Sequence, residues 1–68
     1  MEINIEKQIP VWNKINLTVK EASEYSNIGI NTLYELLTDD CPFLLKVGNK
    51  KLIKRKAFED YINKVKYI

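Results

Sequence analysis

The chain has 68 residues, 46% hydrophobic and 29% charged, which is enough for one small domain of ordinary globular composition. It has no histidine and one cysteine, Cys41, so zinc fingers, internal disulfides and Ser-His or Cys-His nucleophile pairs are excluded. No apolar run approaches the roughly 20 residues that cross a bilayer, and the N-terminus lacks a signal-peptide pattern. We therefore expect a cytoplasmic protein that is not an enzyme and holds no metal or cofactor.

Charge is unevenly distributed along the chain. Residues 1–40 contain three lysines and seven acids, a net charge of −4, whereas residues 41–68 contain eight basic residues and two acids, a net charge of +6. Six of the cations lie between Lys46 and Lys56 with no acid among them. This concentration indicates a polyanionic partner, although a solvated basic face would have the same composition.

The N-terminal part of the chain is predicted to contain a lead-in and one strand. Residues 1–10 show only weak alternation, so we expect a flexible lead-in followed by a domain that comprises residues 11–68. A short strand is predicted over residues 11–17, with three residues facing the core: Val11, Ile15 and Leu17. Trp12 is expected to cover one edge of the core.

Two helices joined by a short turn are predicted next. Thr18 and Glu21 have the spacing of a capping box, so a helix is expected from about residue 19 to residue 26. The sequence Asn-Ile-Gly then breaks this helix, since Gly29 can adopt a positive φ without steric cost. A second helix is expected from about residue 30 to residue 38, with an apolar stripe of Leu33, Leu36 and Leu37. Helix, three-residue turn and helix is the spacing of a helix-turn-helix.

A hairpin and a third helix complete the predicted order. Gly48-Asn49 suits a tight turn between two apolar and basic runs, with a loop of either two or four residues. Phe43 and Ile53 are the expected core members of this hairpin. The third helix is predicted over residues 55–66, with its apolar stripe at Phe58, Tyr61, Ile62 and Val65. The elements together predict an α+β winged helix-turn-helix with three helices and a small antiparallel sheet, which is formed by the N-terminal strand and the wing hairpin.

The candidate binding residues lie on the second helix and along the hairpin. A helix fits the major groove of DNA, about 12 Å wide, and a ribbon with lysines at its tip fits against phosphates. Phosphates carry no sequence information, so we expect the cations to provide mainly affinity and the helix mainly specificity. The candidate specificity residues are Asn31, Thr32, Tyr34 and Glu35. The candidate affinity residues are Lys46, Lys50, Lys51, Lys54, Arg55 and Lys56.

Several of these residues also have a purely structural interpretation. Asn31 belongs to a residue type that caps helices, and Tyr34 would equally cover the edge of the core. Glu35 opposes DNA binding electrostatically, as do Asp39 and Asp40, and all three acids are also explained as solvated residues. Cys41 is predicted to be a small buried hydrophobic residue rather than a reactive thiol.

Most of the chain, from about residue 9 to residue 62, resembles the excisionase family of conjugative transposons. The stretch LTVKEASEY at residues 17–25, followed by Ile-Gly, resembles the opening of this family's MerR-like helix-turn-helix. KVGNK and LIKRKAFE at residues 46–50 and 52–59 resemble its wing and closing helix, and IPVW at residues 9–12 is similar to its lead-in. These are recombination directionality factors with a winged helix-turn-helix fold.

The resemblance implies a protein that binds and bends double-stranded DNA near the ends of a mobile element. It implies a tyrosine-recombinase integrase as partner, excision favoured over integration, and no strand chemistry by the protein itself. The second helix would enter the major groove, and the wing would enter an adjacent minor groove. This arrangement makes Asn49 a further candidate DNA-binding residue at the wing tip, beside Lys50 and Lys51. The family often has arginine where this chain has Tyr34 and Glu35, so weaker binding or a different target preference is implied.

Two other functions are compatible with the same residues. A small transcriptional regulator of a mobile element would use the same surface, and only the genomic neighbourhood would distinguish it. A protein-interaction adaptor would keep the fold without binding DNA, an interpretation that the acidic first half favours. For an excisionase we expect several copies side by side, because bending a site of ~20–30 base pairs costs of order 1–6 kcal/mol.

Overall fold

The structure is a computed structural model, and it describes residues 9–68. Within these residues, three α-helices and a three-stranded antiparallel sheet confirm the α+β winged-helix architecture. After a 3-10 turn at Val11–Asn13, the elements in chain order are β1 (Asn16–Leu17), α1 (Val19–Ser26), α2 (Ile30–Leu36), β2 (Leu44–Val47), β3 (Lys50–Lys54) and α3 (Arg55–Lys64). No helix in the described part of the chain has the length and apolar character required to cross a membrane.

The N-terminal segment differs from its predicted form. Pro10 begins a tight turn, in which its carbonyl accepts from the Asn13 amide at 2.9 Å, so the chain bends where a strand was predicted. The strand is limited to Asn16 and Leu17, and Leu17 is completely buried. Ile15 and Trp12 are 82% and 63% exposed, so their predicted core positions are wrong. The rest of the predicted lead-in, residues 1–8, lies outside the described residues.

The capping box starts α1 as predicted. The Thr18 hydroxyl accepts from the Glu21 amide, and the Glu21 carboxylate accepts from the Thr18 amide, both at 3.0 Å. The helix ends at Ser26, and its C-cap Asn27 has a φ of 64°. Gly29 was expected to supply the positive φ, but it has a φ of −60° because it is the N-cap of α2. An asparagine tolerates the left-handed conformation that closes α1, so glycine is not required there.

The later elements follow the sequence more closely. The wing has a two-residue loop, since Val47 pairs with Lys50, and Gly48 has a φ of 62°. A positive φ at the first of two loop residues is the pattern of a type II′ turn, whose twist matches that of the strands. Helices α2 and α3 each end two residues before their predicted ends, at Leu36 and Lys64, which is a normal uncertainty for helix termini.

The core lies between the helices and one face of the sheet. β3 is the central strand, with β1 on one side and β2 on the other. The Phe43 ring packs edge-on against Phe58 at 5.1 Å between centroids and against Tyr61 at 5.2 Å. The predicted core members Phe43 and Ile53 are confirmed, and Cys41 is half-buried against them. The buried set among the described residues is Leu17, Val19, Ala22, Leu33, Leu37, Phe43, Ile53 and Phe58.

Candidate nucleic-acid interface

A cleft of about 510 Å³ lies between the start of α1, the exposed side of α2 and the tip of the hairpin. β1 pairs with β3 only at Ile53 and Lys54, so it leaves the preceding part of β3 without a strand on that side. The first turn of α1 and Tyr34 of α2 flank this open part of the strand. We call this space the wing cleft, and its lining residues are Thr18, Val19, Lys20, Tyr34, Asn49, Lys50, Lys51 and Leu52.

The exposed side of α2 carries three of the four candidate specificity residues. Asn31, Tyr34 and Glu35 are all exposed and follow the i, i+3, i+4 spacing of one helix face. Gly29 is the N-cap of α2, so Asn31 does not cap this helix, and Tyr34 is 54% exposed rather than packed over the core. Thr32 is half-buried, and its hydroxyl lies close to Gly29. The structure thus presents a polar stripe of three side chains that continues into the wing cleft at Tyr34.

Strand alternation divides the basic run of the hairpin between two faces. Lys46 and Lys51 lie opposite each other on the face that also carries Ile53. The segment after α2 contacts both: Asp39 pairs with Lys46 at 3.5 Å, and the Leu37 carbonyl accepts from Lys51 at 3.5 Å. The Asp39 carboxylate is 90% exposed, and such surface pairs contribute little free energy, so a phosphate can take its place beside Lys46.

The cations at the other end of β3 line a different cleft. It has a volume of about 450 Å³ and shares no lining residue with the wing cleft or with α2. We call it the sheet-base cleft, and its lining residues are Ile15, Asn16, Leu45, Lys54, Arg55, Lys56 and Ala57. The structure therefore brings Tyr34 together with the wing tip, and it places Lys54, Arg55 and Lys56 elsewhere.

Arg55 is engaged in contacts that hold the fold together. Its Nε donates to the Lys14 carbonyl at 2.5 Å, and its guanidinium pairs with Glu59 at 3.2 Å. Glu59 also accepts from the Tyr25 hydroxyl, and this hydrogen bond, followed by the Arg55 contact, lowers the pKa of Glu59. The same bond raises the pKa of Tyr25. Arg55 thereby connects the segment before β1 to α3, and only 16% of its side chain is exposed.

Lys20 lines the wing cleft but was not among the sequence candidates. It is exposed in the first turn of α1, next to the capping residue Thr18. The capping box marks where α1 begins, and Lys20 falls on the polar side of that helix. Its position beside the wing depends on how α1 packs against β3, and local sequence does not contain that information.

The three helices, the short sheet and the hairpin that borders an exposed helix face define a winged helix-turn-helix protein. A family model described as the excisionase from transposon Tn916 matches residues 2–68. The excisionase from transposon Tn916 of Streptococcus agalactiae serotype V is 40% identical over 60 residues, which cover 85% of this chain and 90% of that protein. The chain belongs to this excisionase family. It therefore has a role in transposon excision, and it is not an enzyme, since excisionases direct recombination without catalysing it.

Proposed function

We propose that this excisionase binds and bends duplex DNA at the ends of its mobile element and so favours excision by a tyrosine-recombinase integrase. The observation that supports it is the wing cleft, which has Tyr34 of α2 on one side and the wing tip on the other. A helix face and a cationic ribbon that border one concave surface fit a duplex whose major groove receives α2. The wing then lies along the adjacent minor groove.

Four lysines around the wing cleft would neutralise phosphates under this proposal. Lys20, Lys50 and Lys51 line the cleft, and Lys46 lies opposite Lys51 on the same face of the hairpin. Each phosphate that is neutralised releases counterions, so the logarithm of the binding constant should fall with the logarithm of salt concentration at about −0.9 per contact. Four contacts give a slope of roughly −3.6.

Sequence preference would come from the polar stripe of α2. Asn31 has the donor and acceptor geometry that reads the major-groove edge of adenine, and Glu35 can accept from the amino group of cytosine. Glu35 carries a charge of the same sign as the phosphates, so its contribution is discrimination between sequences rather than affinity. Tyr34 is the member of the stripe that lines the wing cleft, and it would fix the position of the helix relative to the wing.

The test measures binding to duplexes from the ends of the element at several salt concentrations. We expect a slope near −3.6 for the unmodified chain, and a slope shallower by about 1.8 for a Lys50→Ala/Lys51→Ala variant. A Lys64→Ala/Lys66→Ala variant removes the same charge from the end of the chain and should leave the slope unchanged. A binding constant that does not respond to salt would contradict the proposal and favour a protein-interaction adaptor.

A further inference from the structure

The turn between α1 and α2 is bonded to α1 by two serine side chains. The residues that separate the two helices are Asn27, Ile28 and Gly29. The Ser23 hydroxyl donates to the Ile28 carbonyl at 2.6 Å, and the Ser26 hydroxyl accepts from the Ile28 amide at 3.3 Å. Both polar backbone groups of Ile28 are therefore bonded to side chains of α1. We call the two serines and the Ile28 backbone the serine clamp.

The serine clamp is itself held by the backbone of α1. The Ser26 hydroxyl donates to the Ala22 carbonyl at 2.7 Å, and Ala22 is completely buried. The Ser23 carbonyl accepts from the Asn27 amide at 2.8 Å, which fixes the left-handed residue that follows α1. The clamp thus connects the turn to the part of α1 that packs in the core.

The peptide unit held by the clamp leads directly into α2. The Ile28 carbonyl belongs to the peptide bond with Gly29, which is the N-cap of α2 and has no side chain with which to cap the helix. Farther along, Leu33 and Leu37 are buried in the core. Their hydrophobic contacts have no directional preference, whereas hydrogen bonds do. The clamp therefore provides the directional restraint on the start of α2.

We propose that Ser23 and Ser26 are positioning residues that set the orientation of α2, and thereby the base discrimination of its polar stripe. The proposal rests on the proposed DNA-binding function. Glu35 is seven residues beyond Ile28, about 10 Å along the helix at about 1.5 Å per residue. A rotation of about 10° at the clamp would displace Glu35 by about 2 Å, whereas a binding site tolerates about 0.5 Å.

Phosphate contacts should be insensitive to the same rotation. The candidate phosphate contacts are made by lysines, whose long and flexible side chains can follow a small displacement of the backbone. Phosphates also carry no sequence information. Loss of the clamp is therefore expected to reduce discrimination between sequences while leaving the charge-dependent part of binding unchanged.

The experiment compares binding of the full chain to an end duplex and to an unrelated duplex of equal length. Ser23→Ala/Ser26→Ala removes both hydroxyls, and α1 stays helical because alanine favours a helix more than serine does. We expect the ratio of the two affinities to fall about tenfold, the size of one lost base-edge contact, with the salt slope unchanged. A variant that is merely less stable would lose affinity for both duplexes by the same factor, so the ratio reports positioning rather than folding.

Single variants and a control on another helix test whether the hydroxyls act through Ile28. Ser23→Ala removes the shorter bond to Ile28, so it should lower the ratio more than Ser26→Ala does. Asn63→Ala removes a polar side chain from an exposed position on α3 and should leave the ratio unchanged. An unmodified chain that prefers the end duplex, together with a double variant that prefers it equally, would overturn the positioning role.

A measurement without DNA separates this proposal from the proposed function. Residual dipolar couplings of the α2 and β3 amides give the orientation of the helix relative to the hairpin. For Ser23→Ala/Ser26→Ala we expect a rotation of at least about 10°, or couplings averaged over α2, where the unmodified chain has one orientation. Unchanged couplings would overturn the positioning role. A changed orientation in a chain whose unmodified form does not bind the duplex would support the serine clamp and refute the DNA-binding proposal.

Discussion

Lys20 and Tyr34 come from different helices, yet both line the wing cleft. The sequence identified Tyr34 from the polar side of α2, because the apolar stripe of that helix marks the opposite side. It did not identify Lys20, since nothing local shows that the first turn of α1 faces the wing. Asn31, Tyr34 and Glu35 were therefore assigned to the exposed face of α2 correctly, whereas Thr32 is half-buried, and the faces that meet in space required the packed structure.

Removing the Lys20 charge should weaken DNA binding through one phosphate contact. We expect Lys20→Ala to make the salt slope shallower by about 0.9 without changing the rank order of target sequences. Lys64→Ala is the control, since it removes an equal charge far along α3. Equal slopes for the unmodified chain and Lys20→Ala would show that this lysine does not contact a phosphate.

Elements that depend on neighbouring residues could be predicted from the sequence, whereas an element that depends on long-range strand pairing could not. The capping box and the wing turn depend on residues a few positions apart, so they could be predicted from sequence. β1 could not, because its two residues are selected by pairing with Ile53 and Lys54, far along the chain. The Gly29 error has a related cause: either Asn27 or Gly29 can close α1, and the packing of α2 determines which one does.

The start of α1 should respond to pH. The hydrogen bond from Lys14, and next the bond from the Thr18 amide, lower the pKa of Glu21 below its ordinary value. A carboxylate with a lowered folded-state pKa stabilises the fold fully above its unfolded-state pKa, and this contribution is lost as pH falls through the folded-state value. Glu21→Gln keeps a side-chain oxygen for the Thr18 amide but loses the charge beside Lys14, so it should lower the free energy of unfolding at neutral pH by up to about 1 kcal/mol, and by much less in acid.

Urea unfolding of both chains across the acidic range measures this difference. If the difference in free energy of unfolding between the unmodified chain and Glu21→Gln stays constant as pH falls, the Glu21 charge contributes nothing. Thr18→Ala serves as the comparison, because it removes the hydroxyl that accepts from the Glu21 amide without removing a titratable group.

The wing should depend on the backbone freedom of Gly48. Its φ of 62° lies in the left-handed region, where a residue with a side chain costs roughly 1–2 kcal/mol. Gly48→Ala should therefore lower the free energy of unfolding by about that amount and weaken duplex binding, because the wing tip is displaced. Within residues 9–68, no atom beyond Gly48 and its two chain neighbours lies within 4 Å of an added Cβ, so the cost comes from the backbone conformation rather than from a clash with packed side chains. Gly48→Asn should be milder, and equal losses for both variants would contradict this explanation.

In the folded molecule, the basic residues of the second half of the chain lie on two separate surfaces. The sequence showed that the cations are concentrated, and it associated them all with one binding function. Strand register places Lys46 and Lys51 next to the segment that follows α2, and it places Lys54 at the sheet-base cleft. Arg55 is taken up by its hydrogen bond to the Lys14 carbonyl. Composition cannot reveal this division, since a shift of one residue in register would exchange the two faces.

Bending should be a property of several copies rather than of one. A single small domain has few contacts with which to offset a bending cost of order 1–6 kcal/mol, so we expect cooperative occupation of adjacent sites. Gel mobility with circularly permuted end fragments measures the bend as protein concentration rises. A full bend at single-copy occupancy, or strictly independent binding to adjacent sites, would contradict this expectation.

The two-residue loop at Gly48-Asn49 also sets how far the wing extends. β3 has five residues, so the arm is about 16 Å long at about 3.3 Å per residue, which is less than half of one turn of B-DNA, about 34 Å. An arm of this length cannot wrap around the duplex, and it cannot grow without a longer loop or additional strand pairs. Under the proposed DNA binding, strand length limits the stretch of duplex that the wing can contact, and we expect the spacing of neighbouring molecules along an element end to follow the helical repeat of the DNA.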